Sequence, residues 1–389
     1  MSKFSSIFSQ LLSLFPKSDF YREVYETKAE RHSRGFSSWD QFVAMLFCQL
    51  GRAHSLREIC GGLNTCLGKL KHLGLGKAPS HSTLAYANEH RPYELYERVF
   101  FQFLTRCRSE ALLKEHKFRF KNKLMSLDAT VIDLCMSMYD WAKFRRAKGA
   151  IKLHMLLDHA GYLPSFAVIT EGKTHEVTIA KKLHFAPGTI LVFDKGYNDY
   201  TFFGRLSSDG VFFVTRMKSN AVYKVIEERP VPQNRHVLSD KIIRLTGVDA
   251  QDKCQHLLRR VEVWVPEEER ILVFLTNNLK LGATTVAAIY KDRWQIEIFF
   301  KALKQNLKIK TFVGTTANAV KTQIWTALIA ILVVKYLKLR STFGWSLSNL
   351  IALLRMNLFT YRDLWSWLDT PFEIPVVEPS AIQLELRLR

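Results

Sequence analysis

Residues 189–193 read TILVF, and a strand this apolar is stable only when both its faces are covered. The chain must therefore build a sheet with a layer of structure on each side. The neighbouring segments supply such a sheet. From Phe118, within the basic run KEHKFRFKNK that marks a boundary, the pattern changes from helical to alternating. In LMSLDATVIDLC, Leu127, Ala129 and Val131 point one way and Ser126, Asp128 and Thr130 the other. Residues 151–157 (IKLHMLL) and 163–170 (LPSFAVIT) flank a DHAG turn and read as a hairpin. Residues 171–183 begin polar and become helical; a helix over about 200–207 and a strand over 211–215 complete an order of three strands, helix, strand, helix, strand.

Two acids stand out in that order. Asp194 ends the apolar strand and is followed by Lys195, Gly196 and Tyr197, which places a carboxylate at a sheet edge, where reactive groups collect. Asp128 lies on the polar face of its strand, and aspartate is depleted in strands, so it needs a hydrogen-bonding or a chemical reason to be there. His154, with no second histidine at a useful spacing, reads as a satisfied core residue.

A third acid lies on a helix. In YKDRWQIEIFFKALK, residues 290–304, apolar residues recur at Ile289, Ile296, Phe299, Phe300, Leu303 and Leu307 with no Gly or Pro inside, which predicts one continuous helix. Tyr290, Arg293, Glu297 and Lys304 then share a stripe within roughly 60°, with its ends about 21 Å apart, suited to a long anionic partner. Arg293 with Glu297 also has the spacing of an ordinary surface ion pair.

Tyr, two residues, Arg, three residues, Glu, six residues, Lys resembles the YREK signature of the insertion-sequence-four family of DDE transposases, and Tyr290, Arg293, Glu297 and Lys304 match it at each position. The DAT at Asp128 and the DKGY at Asp194 resemble the family's motifs at its two upstream acids. The resemblance implies a ribonuclease H-like core, in agreement with the order read from periodicity. The expected fold class is α/β: a ribonuclease H-like mixed sheet flanked by helices, with a β-rich insertion and all-helical N- and C-terminal regions. It also implies Asp128, Asp194 and Glu297 as catalytic, metal-ligating residues, and Tyr290, Arg293 and Lys304 as phosphate contacts at the cut DNA end. Arg216, at the end of the fifth strand, is a further candidate for DNA contact.

The implied activity is that of a bacterial insertion-sequence transposase working by cut and paste. Water frees a 3′ hydroxyl at the element's end, this hydroxyl attacks the opposite strand to form a hairpin, and the reopened end joins target DNA. The acids themselves support a metal-dependent reaction. Three converging carboxylates repel one another unless cations intervene. Oxygen-only ligation favours magnesium or manganese, and two ions about 4 Å apart suit an in-line phosphodiester displacement. A ribonuclease H-like nuclease or resolvase that cuts without joining would keep the same acids, whereas a domesticated relative that only binds DNA would have little need of all three.

The chain divides, on this reading, into a helical region over residues 1–115, a first part of the catalytic core over 116–216, a β-rich insertion over 217–281, the signature helix over 282–310, and a helical region with a Pro-rich tail over 311–389. Within residues 1–115 a helix after Ser55 and another near Ser80 have the spacing of a helix-turn-helix, which serves DNA ends or only packing. In the insertion, VEVWV places Trp264 opposite three valines, where an exposed indole would stack on an unpaired base and a covered one would only pack.

Charge narrows the partners. Lys and Arg number 56 against 36 Asp and Glu, a formal +20, which points to a polyanion such as DNA or to an acidic membrane surface. The longest apolar run, residues 324–334, stops at Lys335 and is short of the ~20 residues of a span, so a buried helix is expected and no membrane. Six scattered cysteines without metal-site spacing read as reduced core thiols, and with no secretory segment read at the N-terminus a cytoplasmic, nucleoid-associated protein follows. Two DNA ends must be joined, so a homodimer on DNA is expected.

Overall fold

The computed structural model describes residues 5–373, apart from 32, 34, 67, 113–116, 135–140, 142, 146–147, 234 and 308–311. Cys135 and most of the Pro-rich tail lie outside the described residues. Six helices come first: α1 (Ile7–Leu12), α2 (Lys17–Glu26), α3 (Ser38–Gly51), α4 (Leu56–Asn64), α5 (His81–His90) and α6 (Glu94–Ala111). Serines set several of their starts. Ser37 and Asp40 form a reciprocal capping box on α3, and Ser55 and Ser80 accept the third backbone N–H of α4 and α5.

The sheet follows, with β1 (Leu124–Leu134), β2 (Lys143–Arg145), β3 (Lys148–Asp158), β4 (Leu163–Glu171), α7 (Glu176–Ala180), β5 (Ile190–Phe193), α8 (Tyr200–Ser208) and β6 (Phe212–Arg216). In space the strands run β4, β3, β1, β5, β6, with β1–β3 and β3–β4 antiparallel and β1–β5 and β5–β6 parallel. That is the ribonuclease H-like order. β5 is wholly buried, and its side chains alternate between two apolar layers. Leu191 and Phe193 join Phe202, Phe203 and Leu206 of α8 on one face, while Ile190 and Val192 face the other.

The inserted residues do not form a separate body. They give β7 (Tyr223–Glu228), β8 (Val237–Leu245), α9 (Val248–Lys253), β9 (Leu258–Val265) and β10 (Arg270–Thr276), and β10 pairs with β6, so a single sheet continues through β9 and β8 to β7. α9 is pressed onto α8. A Cβ on Gly204 would stand 2.2 Å from the Lys253 carbonyl oxygen, so only glycine allows that approach.

The next segment corrects the expected continuous helix. α10 (Ala283–Asp292) ends at Arg293, α11 (Trp294–Lys301) begins after it, and residues Ala302–Asn306 form a turn of π-helix. At the first interruption Arg293 keeps helical dihedrals (φ −53°, ψ −28°), and the residue before it is Asp292. Its carboxylate is drawn into the body, where it meets His159, Lys117 and Tyr162. α10 covers the second face of β5 with Ala283, Val286 and Ile289.

The chain closes with α12 (Ala317–Arg340), α13 (Leu347–Asn357) and α14 (Leu364–Asp369). α12 is long and apolar enough to cross a membrane by length and composition, yet 83% of its most apolar stretch is buried inside the protein. It is covered by α3, α5, α6 and α13, and α3 is itself buried almost all round. Residues from α1–α6 and α12–α14 therefore share one core, which also takes in Ile132 of β1 and Phe299 of α11. Trp325, Trp345 and Trp367 pack within it, with Trp365 at its margin, and the five described cysteines are buried thiols outside any disulfide.

Lys335 sits in this helix against the rings of Tyr162 and Phe299, 6.0 and 5.6 Å from their centroids. Burial, aided by Lys338, lowers its ammonium from 10.5 to about 7. Between those values the unfolded chain holds a proton that the folded one lacks, so this group's contribution to stability improves as pH rises through the window. Lys335→Met is expected to raise Tm at pH 7 by ~5 °C and to flatten the rise between pH 7 and 10, as read from melting curves.

Candidate active site

β1 outruns β5. Leu127 pairs with Phe193, the last residue of β5, while β1 continues to Leu134. Asp128 and Asp194 thus follow paired residues on adjacent parallel strands, which lie about 4.8 Å apart. The chain at Asp194 leaves the sheet, and its carboxylate caps the short turn that follows, accepting the Gly196 N–H at 2.8 Å. A Cβ at Gly196 would stand 3.0 Å from that carboxylate and 3.5 Å from Glu176, a tight fit against the first.

The edge of β1 left open by β5 carries backbone groups that need partners. Asp128 Oδ1 accepts the Ala129 N–H at 2.8 Å, and Lys304 donates to the Val131 carbonyl at 2.6 Å. Lys304 therefore points back to the strand from the π turn rather than lying in an open groove.

Arg293, at the α10–α11 break, links the acids. Its guanidinium reaches Asp128 Oδ2 at 3.4 Å and Glu297 Oε1 at 2.5 Å, and its Nε has no hydrogen-bond partner among the described residues. It also lies 5.4 Å from the centre of the Tyr290 ring, which packs on Phe274. Burial pushes the Asp128 carboxyl up to about 7; Ala129 and Arg293 oppose the rise, and Asp194 and Glu297 add to it. Burial likewise raises the Tyr290 hydroxyl, with Arg293 and Arg216 opposing and Asp194 adding. Arg216 thus belongs to the same neighbourhood.

The donor set suits a hard divalent cation, since every inward acid is a carboxylate. Among the described residues no three of His, Cys, Asp and Glu stand close enough to enclose an ion. Asp128 and Glu297 instead share the Arg293 guanidinium, a cation in a place where carboxylates would otherwise repel. The residues fit a divalent ion provided that Arg293 gives up these two acids to it.

Trp264 is not brought to this site. It is exposed on β9, facing Ile271 of β10, two strands beyond β6 and on the order of 10 Å across the sheet. His154 is buried, sharing a hydrogen bond of 2.9 Å with Thr170 while its Nδ1 has no partner among the described residues.

Glu176 and Asp292, at or behind the site, were not singled out from the sequence, and Tyr197 was read there only as part of the DKGY motif. Glu176 approaches Asp194 across Gly196 and pairs with Lys152 at 3.3 Å. Tyr197 is fully buried, and its hydroxyl has no partner among the described residues; burial raises it, with Asp128, Glu176 and Asp194 adding to the rise. Asp292 did carry a signal. It lies three residues after Ile289 and four before Ile296, on the apolar side of the predicted helix, where a charge needs partners.

The family described as "Transposase DDE domain" matches residues 119–333, and a domain of unknown function matches residues 3–76. A protein of Sinorhizobium fredii named as a transposase is 30% identical over 307 residues, covering 78% of this chain and 83% of that protein. One from Geobacillus stearothermophilus, named as the transposase for insertion sequence element IS5377, is 27% identical over 259 residues, 66% of this chain and 67% of its own. A third, from Synechocystis and named for insertion sequence element IS4SA, is 21% identical over 304 residues, covering 77% and 84%. Among solved structures, a piggyBac transposase synaptic complex with hairpin DNA superposes with a TM-score of 0.46 at 10% identity, covering 95% of this chain and 82% of that one. The matched region spans both strand acids and the helix with the third, and the chain belongs to the DDE transposases of the insertion-sequence-four kind.

Proposed function

We propose that Asp128, Asp194 and Glu297 are the catalytic carboxylates of this transposase and the ligands of two magnesium or manganese ions. DDE transposases cut and join DNA with divalent metal ions, and the single observation that carries the assignment is Arg293. One guanidinium is shared by acids 169 residues apart in sequence, from strand and helix, which marks the place where positive charge is wanted. Bound there, the ions would supply an activated attacking hydroxyl and charge for the leaving oxygen.

The protein's own groups hold the DNA. Arg293, released from the acids, pairs with a phosphate beside the cut together with Tyr290, Arg216 and Lys304; a guanidinium suits such a contact through its paired donors. Lys304 must first leave the Val131 carbonyl. Trp264, exposed but remote, would stack on a base only where DNA continues across the inserted strands. Residues 1–115 would contact the element's terminal repeats through α4 and α5, residues 116–216 and 282–310 would carry the chemistry, 217–281 would support the distorted end, and 311–389 would hold the helical regions together. The active unit is a homodimer on two ends, acting on the nucleoid in the cytoplasm.

The test is to incubate the purified protein and magnesium with duplexes carrying the flanking element's ends, and to separate the products on a denaturing gel. A species of double strand length is the expected hairpin. Nicks with neither hairpin nor joined products, where end binding is confirmed, would remove the hairpin route and favour cutting without joining.

A further inference from the structure

Two bridges run side by side from β1 to the joint between α10 and α11. The first joins Asp128 to Arg293. The second starts two residues earlier on the same face of β1. Ser126 Oγ lies 2.7 Å from His159 Nε2, and His159 Nδ1 lies 2.6 Å from Asp292 Oδ2. Since Asp292 immediately precedes Arg293, the two bridges are tied to adjacent residues of the joint. The Asp292 carboxylate, only 1% exposed, also receives the Lys117 ammonium and, at 3.2 Å, the Tyr162 hydroxyl.

Serine, histidine and aspartate in this order can form a nucleophile with its base. Here that chemistry is excluded, because Ser126 is fully buried in the middle of the sheet and no substrate can reach its hydroxyl. What the relay can do is hold two elements in register. At the joint the Arg293 N–H bonds the Tyr290 carbonyl at 3.2 Å and the Ile296 N–H bonds the Arg293 carbonyl at 3.1 Å, each spanning three residues instead of four. The apolar spacing from Ile289 to Leu307 favours a continuous helix, which would turn Arg293 and Glu297 relative to β1. A buried carboxylate without partners is too costly to persist, so Asp292 keeps the break only while His159, Lys117 and Tyr162 hold it.

We infer that His159 and Asp292 are positioning residues for DNA cleavage: through the relay to Ser126 they fix the α10–α11 joint against β1, so that Arg293 and Glu297 face Asp128. This inference rests on the proposed roles of those three residues. Neither positioning residue touches DNA in this scheme, so their loss should slow the chemical step and leave end binding intact.

The experiment compares the full-length wild type with Asp292→Ala, His159→Ala and Asp292→Asn, measuring end affinity and single-turnover cleavage of saturating end duplex in magnesium. The two alanine variants are expected to cleave about a hundredfold more slowly, the effect of misplacing a reacting group by ~1 Å. Their end affinity should stay within about twofold of wild type, the pattern of a lost positioning interaction rather than a lost binding one. Asp292→Asn should recover most of the rate, because its amide oxygen still accepts from His159. Unchanged cleavage in the alanine variants, or cleavage that falls only in proportion to binding, overturns the inference. Should the alanine variants fail to fold, Tyr162→Phe removes one donor to Asp292 and keeps the ring. Slower cleavage with unchanged binding then supports the inference, and an unchanged rate overturns it. A wild type that binds ends and never cuts them would overturn the assignment of the acids, and this inference with it.

Discussion

Asp194→Asn is expected to reduce cleavage of element ends by about a thousandfold or more, the scale of several kcal/mol of lost metal assistance, while end binding persists. The substitution is nearly isosteric. The amide oxygen of Asn still accepts the Gly196 N–H, so the turn after β5 keeps its cap. What goes is one negative charge next to Asp128, whose carboxyl is already held near 7 largely by burial. The metal-free variant should therefore fold at least as well as the wild type, and a melting curve separates the two effects. Lost cleavage at an unchanged or higher Tm supports a metal-ligand role. Wild-type cleavage would remove Asp194 from the site.

The second large effect concerns stability. Asp240 of β8 and Arg259 of β9 form a bidentate pair, 2.8 Å from Nε to Oδ1 and 2.6 Å from the terminal nitrogen to Oδ2, with both side chains 4% exposed. Arg259 also donates to the carbonyl of Leu281, just before α10 begins. Arg259→Met leaves a buried carboxylate without its partner and is expected to cost about 3–5 kcal/mol in denaturant unfolding. Arg259→Met with Asp240→Leu removes both charges and should regain most of that loss. If the single variant unfolds like the wild type, the pair is not holding the inserted strands to the root of the catalytic helices.

Much of this arrangement was legible in the sequence, because the signals were local. The apolar run of β5 required cover on both faces and receives it from α8 and α10. The β-rich insertion appears as β7–β10, although its merger into the main sheet could not be read, since strand pairing is a long-range matter. Asp128 and Asp194 stand where alternation and the glycine turn put them. The signature segment is helical as its periodicity predicts, but its interruption at Arg293 was not legible, because periodicity reports which side is apolar and says nothing of what a buried acid will meet. Asp292 sat on the apolar side in plain view, but His159 and Lys117 lie more than 130 residues away from it. Arg293 and Glu297 keep the i,i+4 spacing of a common surface pair, and only the fold brings Asp128 to the same guanidinium.

The shared helical core has a consequence for how the protein is made. The Ile7 N–H bonds the Thr360 carbonyl and Gln10 bonds the Arg362 carbonyl, so the first described helix is fastened to the last part of the described chain. α3 finds much of its cover on α12, which leaves the ribosome only after the whole sheet has been synthesised. The helices that meet DNA first in the proposed scheme must therefore wait, with apolar faces open, for a partner that arrives hundreds of residues later, and folding dominated by such distant contacts is slow. A chain cut short before α12 would lack the surface that α3 needs, so truncated products should be cleared as unfolded protein instead of lingering as competitors for the element's ends.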